Sequence, residues 1–257
     1  MTTDDPEPTV PVAGPGSVEE ARHPPPPAAM QIGPIVREVL ILVAGILIAL
    51  GLESWRDGRV EQGEVRAELR SVQVELQENL PILDGYIRWH ERSLDATEDM
   101  LALLSAGRDV DVPDSTVWGV GFTPTYDPRR GALDALISSG RLALVQDPEL
   151  RRALAAHGGA LQDARDEETR SRAYVDLQLG TVLGRSGNTA RPQSVNWRDP
   201  GVPEEARGRH TRITYSQELE NHLARRRLFA ILSIESLRAA RVSVVDLTQR
   251  ITRLLDD

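Results

Sequence analysis

The run Val39-Leu-Ile-Leu-Val-Ala-Gly-Ile-Leu-Ile-Ala-Leu-Gly-Leu52 is apolar without interruption and is bracketed by Arg37, Glu38 and Glu53. No other feature constrains the fold of this chain as strongly. The run is apolar on every helical face and lacks the polar stripe of a surface helix. At about 1.5 Å per residue it covers roughly 21 Å, against a hydrocarbon core of roughly 30 Å. Counted from Pro34 to Trp55 it covers about 33 Å, with Arg37 and Glu38 able to reach headgroups at one end and Trp55 at the other interface. A transmembrane helix over 34–55 is therefore expected. The competing expectation is a central buried helix of a soluble protein, which runs this short often form.

Upstream, residues 1–33 combine prolines, glycines and acids (Asp4, Asp5, Glu7, Glu19, Glu20) with no apolar periodicity. Such a segment cannot bury enough surface to offset the entropy of ordering and is expected to be a disordered Pro-rich acidic tail. It does not read as a secretory signal, which needs a basic start leading quickly into its apolar stretch. Translation from Met30 instead of Met1 would remove it.

Downstream, 40% hydrophobic but only 4% aromatic residues imply a core of Leu, Val, Ile and Ala, and hence packed helices. From Val65 the apolar positions follow Leu69, Val72, Leu76, Leu80, Leu83, Ile87, Leu94, Leu101 and Leu104, with His90 and Thr97 filling the seam. This is a heptad with one four-residue stutter ending at Leu80. Pro81 follows directly, so a kink or break is expected there. Residues 107–128 and 184–210, rich in Gly and Pro, read as loops. Between them a short helix from about Arg129 is expected to end at Ser139-Gly140, with Gly140 as left-handed cap. Asp147-Pro148-Glu149 opens another, with Asp147 as N-cap, running to about Leu183 and weakened at Gly158-Gly159. The last helix opens near Ser216, with the seam Ala230, Leu237, Ala240, Val244, Leu247, Ile251, Leu254. The expected fold is all-α: an N-terminal transmembrane helix continues into a long amphipathic helix of about 60 Å, which packs with two further long helices in a bundle over 56–257. Self-association, or docking of another envelope protein, through the heptad seams is a further expectation.

Candidate chemistry is sparse. The five histidines, His23, His90, His157, His210 and His222, lack metal-site spacing. The nearest approach to a Glu-x-x-His pair is Glu218 with His222, four apart. Ser138-Ser139-Gly140 lacks a nucleophile elbow and is better explained by helix capping. Gly119 and Gly121 lack the rest of a phosphate loop. Arg225-Arg226-Arg227 reads as a solvated helix face, and His90 as a hydrogen-bonded core residue or one facing a partner chain. No catalytic, cofactor-binding or metal-binding residue is assigned and no cofactor is expected. The plentiful acids show no spacing that picks out an acid and base pair. The absence of cysteine excludes thiolate chemistry, and a net charge of -9 argues against nucleic-acid binding. The alternative function, a small-molecule-sensing ectodomain, rests on Trp118, Phe122 and Tyr126, with a pocket near 107–128 and 184–210.

Two stretches carry a resemblance. Glu38-Val-Leu-Ile-Leu-Val-Ala-Gly-Ile-Leu-Ile-Ala-Leu through Trp55, and Ala135-Leu-Ile-Ser-Ser-Gly-Arg-Leu-Ala-Leu-Val-Gln-Asp-Pro-Glu-Leu150, resemble a family of small, uncharacterised bacterial membrane proteins with one N-terminal transmembrane helix and a helical remainder. The resemblance covers roughly residues 35–180 and carries over no catalytic residues. It implies a single-pass protein of the bacterial inner membrane, with the lipid bilayer as partner and the C-terminal domain in the periplasm. The arginine count points the other way. Arg22 and Arg37 precede the run while Arg56, Arg59, Arg66 and Arg70 follow it, which favours a cytoplasmic domain. The expected location is periplasmic. The expected function is a membrane-anchored structural, scaffolding or interaction module without catalytic activity.

Overall fold

A computed structural model describes residues 32–190 and 208–256. The tail expected over 1–33 lies outside the described residues up to residue 31, as does most of 184–210. The chain divides into two units, one ending at Trp55 and the other comprising Arg56–Asp257.

The first helix, α1, runs Ile32–Leu104. Within the first unit its residues 36–55 are exposed without exception, and the large side chains of the apolar run are 44 to 65% exposed. Among the described residues no helix is long and apolar enough to cross a membrane, which corrects the expected span over 34–55. The uninterrupted apolar stretch is too short, and Arg37, Glu38, Glu53, Arg56 and Asp57 close in on it from both ends.

In the second unit three long helices form a bundle. They are α1, α4 (Pro148–Tyr174) and α6 (Gln217–Asp256). The last helix lies antiparallel to α1, as ion pairs show: Asp84 with Arg241, Glu91 with Arg238 and Glu98 with Arg227, at 2.6 to 2.7 Å. It is antiparallel to α4 as well, with His157 opposite Ser243 and Ser171 opposite Arg226. Leu69, Val72, Leu76, Leu83 and Leu104 of the α1 seam, and Ala230, Leu237, Ala240, Val244, Leu247 and Ile251 of the α6 seam, are buried in this chain's own core. The seams expected to recruit a partner are thus engaged within one molecule.

Local chemistry explains most boundaries. Asp147 caps α4, its carboxylate accepting from the N–H of Glu149 (2.8 Å) and Leu150 (3.2 Å), and Pro148 takes the first helical position. The short helix α3 (Gly131–Ser138) is followed by Gly140 at φ 75°, the left-handed turn expected of it. Ser216 opens α6 by accepting from the N–H of Leu219 at 3.1 Å.

Three expectations are corrected. The first helix runs through Pro81 without a break. The proline removes one backbone hydrogen bond, but Leu76, Asn79 and Leu83 are buried on either side, and their packing outweighs a local cost of about 3 kcal/mol. The seam passes through buried Asn79, with Leu80 only half-buried. Residues 107–128 hold β1 (Val110–Pro113) and α2 (Asp114–Gly121), and β1 pairs antiparallel with β2 (His210–Ile213), which begins at the last residue of the second expected loop. The helical fold therefore carries a two-stranded ribbon. As expected, α4 continues past Gly158-Gly159 to Tyr174, and helix carries on through a π-helical turn, Val175–Leu179, into α5 (Gly180–Ser186).

The two apolar cores are separated along the bundle. One gathers Val65 to Ile87 of α1 with Leu150 to Ala164 and Leu237 to Ile251. The other gathers Ala96 to Leu104 with α2, the β ribbon, the π turn and the start of α6. In the second, α2 approaches α1 so closely that a Cβ on Gly119 would lie 2.6 Å from the Cβ of Ala96. Gly119→Ala is expected to force the helices apart and to destabilise the protein by about 1–3 kcal/mol, measured by urea unfolding.

Candidate functional site

Between the two cores lies a layer of buried polar side chains, contributed one turn apart by each long helix: His90 and Ser93 from α1, Glu168 and Ser171 from α4, and Arg226 from α6. Each stands at a seam position, so helical periodicity alone turns it inward. His90 Nε2 lies 3.0 Å from Glu168 Oε1, both side chains fully buried, and Glu168 Oε2 accepts from the N–H of Tyr126 at 2.9 Å. Burial first, and then the Glu168 carboxylate, hold the Tyr126 hydroxyl well above the ordinary tyrosine range.

Arg226 is wholly buried and each of its three nitrogens finds an acceptor. Nε donates to the carbonyl of Val120 (3.1 Å), Nη1 to Ser171 Oγ (3.3 Å), and Nη2 to Ser93 Oγ and to the carbonyl of Phe122 (3.1 Å). Ser93 Oγ in turn donates to the carbonyl of Gly119 at 2.7 Å. The guanidinium thus sits against the last carbonyls of α2, the end of a helix that carries partial negative charge. Burial pulls its pKa down only to about 10, so it remains cationic at neutral pH. This corrects the reading of Arg225-Arg226-Arg227 as a solvated face. The outer two are exposed, and Arg227 pairs with Glu98 at 2.7 Å, but the middle arginine is core.

The remaining candidates fall apart as sites. His157 is buried, with Nδ1 2.8 Å from Ser243 Oγ. His222 Nδ1 lies 2.6 Å from the Tyr174 hydroxyl, while Glu218 pairs with Arg185 at 2.8 Å. His210 is exposed at the start of β2, and His23 lies outside the described residues. Among the described residues no group of three or more His, Asp or Glu could hold a metal. Ser138 and Ser139 bond back to carbonyls of their own helix. Trp118 stacks on Phe122 with centroids 4.3 Å apart, and both pack on Trp89 of α1, while Tyr126 packs on Tyr86. These aromatics fill one another's faces.

Sequence reasoning missed Asn79, Glu168, Ser171 and Arg226. Asn79 grips the backbone of Arg129 from both sides, donating to its carbonyl at 2.6 Å and accepting from its N–H at 3.0 Å. A signal existed: the buried positions of α4 step 150, 154, 157, 161, 164, 168, 171, an unbroken alternation of four and three that includes Glu168 and Ser171. No protein-family model, no curated protein and no solved structure matches this chain.

Removing the Arg226 head strands the Val120 and Phe122 carbonyls away from water. Arg226→Met is expected to cost about 3–5 kcal/mol in urea unfolding, far more than Arg225→Met, whose parent side chain is exposed.

A second expectation concerns pH. Burial, and then the Arg130 charge, pull the His157 imidazole down to about 4 from 6.5. The native state therefore refuses a proton that the unfolded chain accepts below 6.5. The stability associated with neutral His157 is complete above pH 6.5 and is lost as pH falls towards 4, by up to about 3 kcal/mol. Urea unfolding at pH 7 and pH 4.5 should show a loss that His157→Asn reduces.

Proposed function

We propose that the protein is a membrane-attached helical module that works by binding rather than by catalysis. The observation that carries this reading is the stretch Val39–Leu52, fourteen consecutive apolar residues that are exposed on every face. An exposed apolar surface this continuous is costly in water, at roughly 25 cal/mol per Å², and lipid is the medium that covers all sides of a single helix at once. The resemblance of Glu38–Trp55 and Ala135–Leu150 to small single-pass bacterial membrane proteins supports the same reading.

The Arg56–Asp257 unit is then the part that meets a partner. Its seams are filled by its own helices, so recognition falls to its outer faces. The test is an alkaline carbonate wash of membranes from cells expressing the full chain. The protein is expected to stay in the washed membrane, and Ile46→Arg with Leu47→Arg, each charge costing up to about 2.5–3.5 kcal/mol in hydrocarbon, to move most of it to the soluble fraction. Release of the unsubstituted chain by the wash would overturn the proposal. Protease treatment of spheroplasts then reads the side: cleavage from outside places the bundle in the periplasm, as the family resemblance implies, and protection places it in the cytoplasm.

A further inference from the structure

Tyr174 ends α4, and the π-helical turn Val175–Leu179 starts directly after it. Turns of this kind are rare and recur at functional sites. The Tyr174 side chain is buried, and its hydroxyl reaches α6, where it lies 2.6 Å from Nδ1 of His222 and donates to the His222 carbonyl at 3.2 Å. A hydroxyl has one hydrogen. Both bonds form together only when that hydrogen goes to the carbonyl and Nδ1–H donates to the hydroxyl oxygen. The other ring nitrogen, Nε2, then holds a lone pair, and among the described residues nothing donates to it.

Beside this pair lies a cleft of about 130 Å³ lined by Tyr174, Asn221, His222 and Arg225. Every lining side chain is polar and none is a carboxylate. Arg225 is exposed, with its guanidinium 6.0 Å from the centroid of the Tyr174 ring, and among the described residues it makes no ion pair. The acids nearest to it along α6 are engaged elsewhere, Glu218 with Arg185 at 2.8 Å and Glu220 with the Tyr215 hydroxyl at 3.1 Å. One turn before Arg225, where a carboxylate would complete an i, i+4 pair, stands the amide of Asn221.

The cleft therefore offers a cation and an amide that donate, and one imidazole nitrogen that accepts. A cationic ligand is repelled by Arg225, and a hydrocarbon chain finds no apolar wall. Sulfate and carboxylates carry no hydrogen at neutral pH and set a lone pair against Nε2. A phosphate group, whose second proton leaves near about pH 6, supplies both charged oxygens and a hydrogen to share with Nε2. We propose that this cleft binds a phosphate group, free or as a monoester, with Arg225 and Asn221 donating to its oxygens and Nε2 of His222 taking its hydrogen. The apolar stretch plays no part in this site, so the carbonate wash and the following titration can fail separately.

The full chain, purified in a neutral detergent at neutral pH, is melted in sodium phosphate, glycerol 3-phosphate, sodium sulfate or sodium acetate, each against sodium chloride of equal ionic strength. Phosphate or its ester is expected to raise Tm by about 4 °C at ten times its Kd, and sulfate and acetate by less than a third of that. The larger of the first two shifts tells the free ion from the ester. Arg225→Met, a change at an exposed side chain, is expected to abolish the shift. His222→Asn, which keeps an amide N–H for the Tyr174 hydroxyl but has no atom in place of Nε2, is expected to reduce the phosphate shift to the sulfate level. Arg227→Met, in the same arginine run but paired with Glu98, is expected to leave it intact. A sulfate shift as large as that of phosphate, a full phosphate shift in Arg225→Met, or no shift from either phosphate compound would each overturn the assignment.

Discussion

The placement of Arg226 is the constraint on which the rest of the bundle depends. A buried guanidinium is tolerated only where every direction of its fork meets an acceptor, and here the acceptors come from three separate places: Ser93 on α1, Ser171 on α4, and the carbonyl end of α2 with Phe122 beyond it. Slide α6 by one turn and the cation meets Leu223 or Ala230 surroundings instead, with nothing to accept its hydrogens. Leucine seams alone slide at modest cost, because one apolar residue replaces another. The polar layer between the two cores thus fixes the register of three helices and at the same time seats α2, which has only eight residues and no side-chain cap.

The second half of the layer tethers irregular chain. Glu168 holds the backbone of Tyr126, Arg172 holds the carbonyl of Thr123 at 2.9 Å, and Asn79 holds Arg129. Residues 122–130 have no regular structure, so their polar backbone groups need partners elsewhere, and side chains of α1 and α4 provide them. A segment that reads as a flexible loop is in this way fastened across the bundle at three points.

How far the fold was legible follows from which forces are local. Caps and turns depend on neighbours in sequence, and Asp147, Gly140 and Ser216 stand where their chemistry places them. Helix pairing was legible because the α6 seam is a regular heptad from Leu237 on; one step of four back from Ala230 leads to Arg226, but a charged side chain disguises a seam position as a surface one. The pairing of β1 with β2 joins Val110 to Ile213, and no local signal can announce a partner about a hundred residues away. The same holds for the polar layer: Ser93, Ser171 and Arg226 are unremarkable singly, and only their convergence gives them a role. The apolar stretch was legible as an anomaly, while its length left the medium that covers it to be argued on physical grounds.

The charges that follow the stretch are sorted by helix face. A helix exposed on all sides in water gains little from sorting acids to one face and arginines to another, because like charges at i, i+3 and i, i+4 repel. Sorting of this kind is stabilised when each face meets a different environment. For the acidic face the environment is visible: Arg141 and the first turn of α3 sit on it. On the opposite flank Arg56, Arg66 and Arg70 make no ion pair among the described residues. In a protein whose apolar stretch ends just before Arg56, the anionic surface that comes with the smallest additional assumption is that of the bilayer itself.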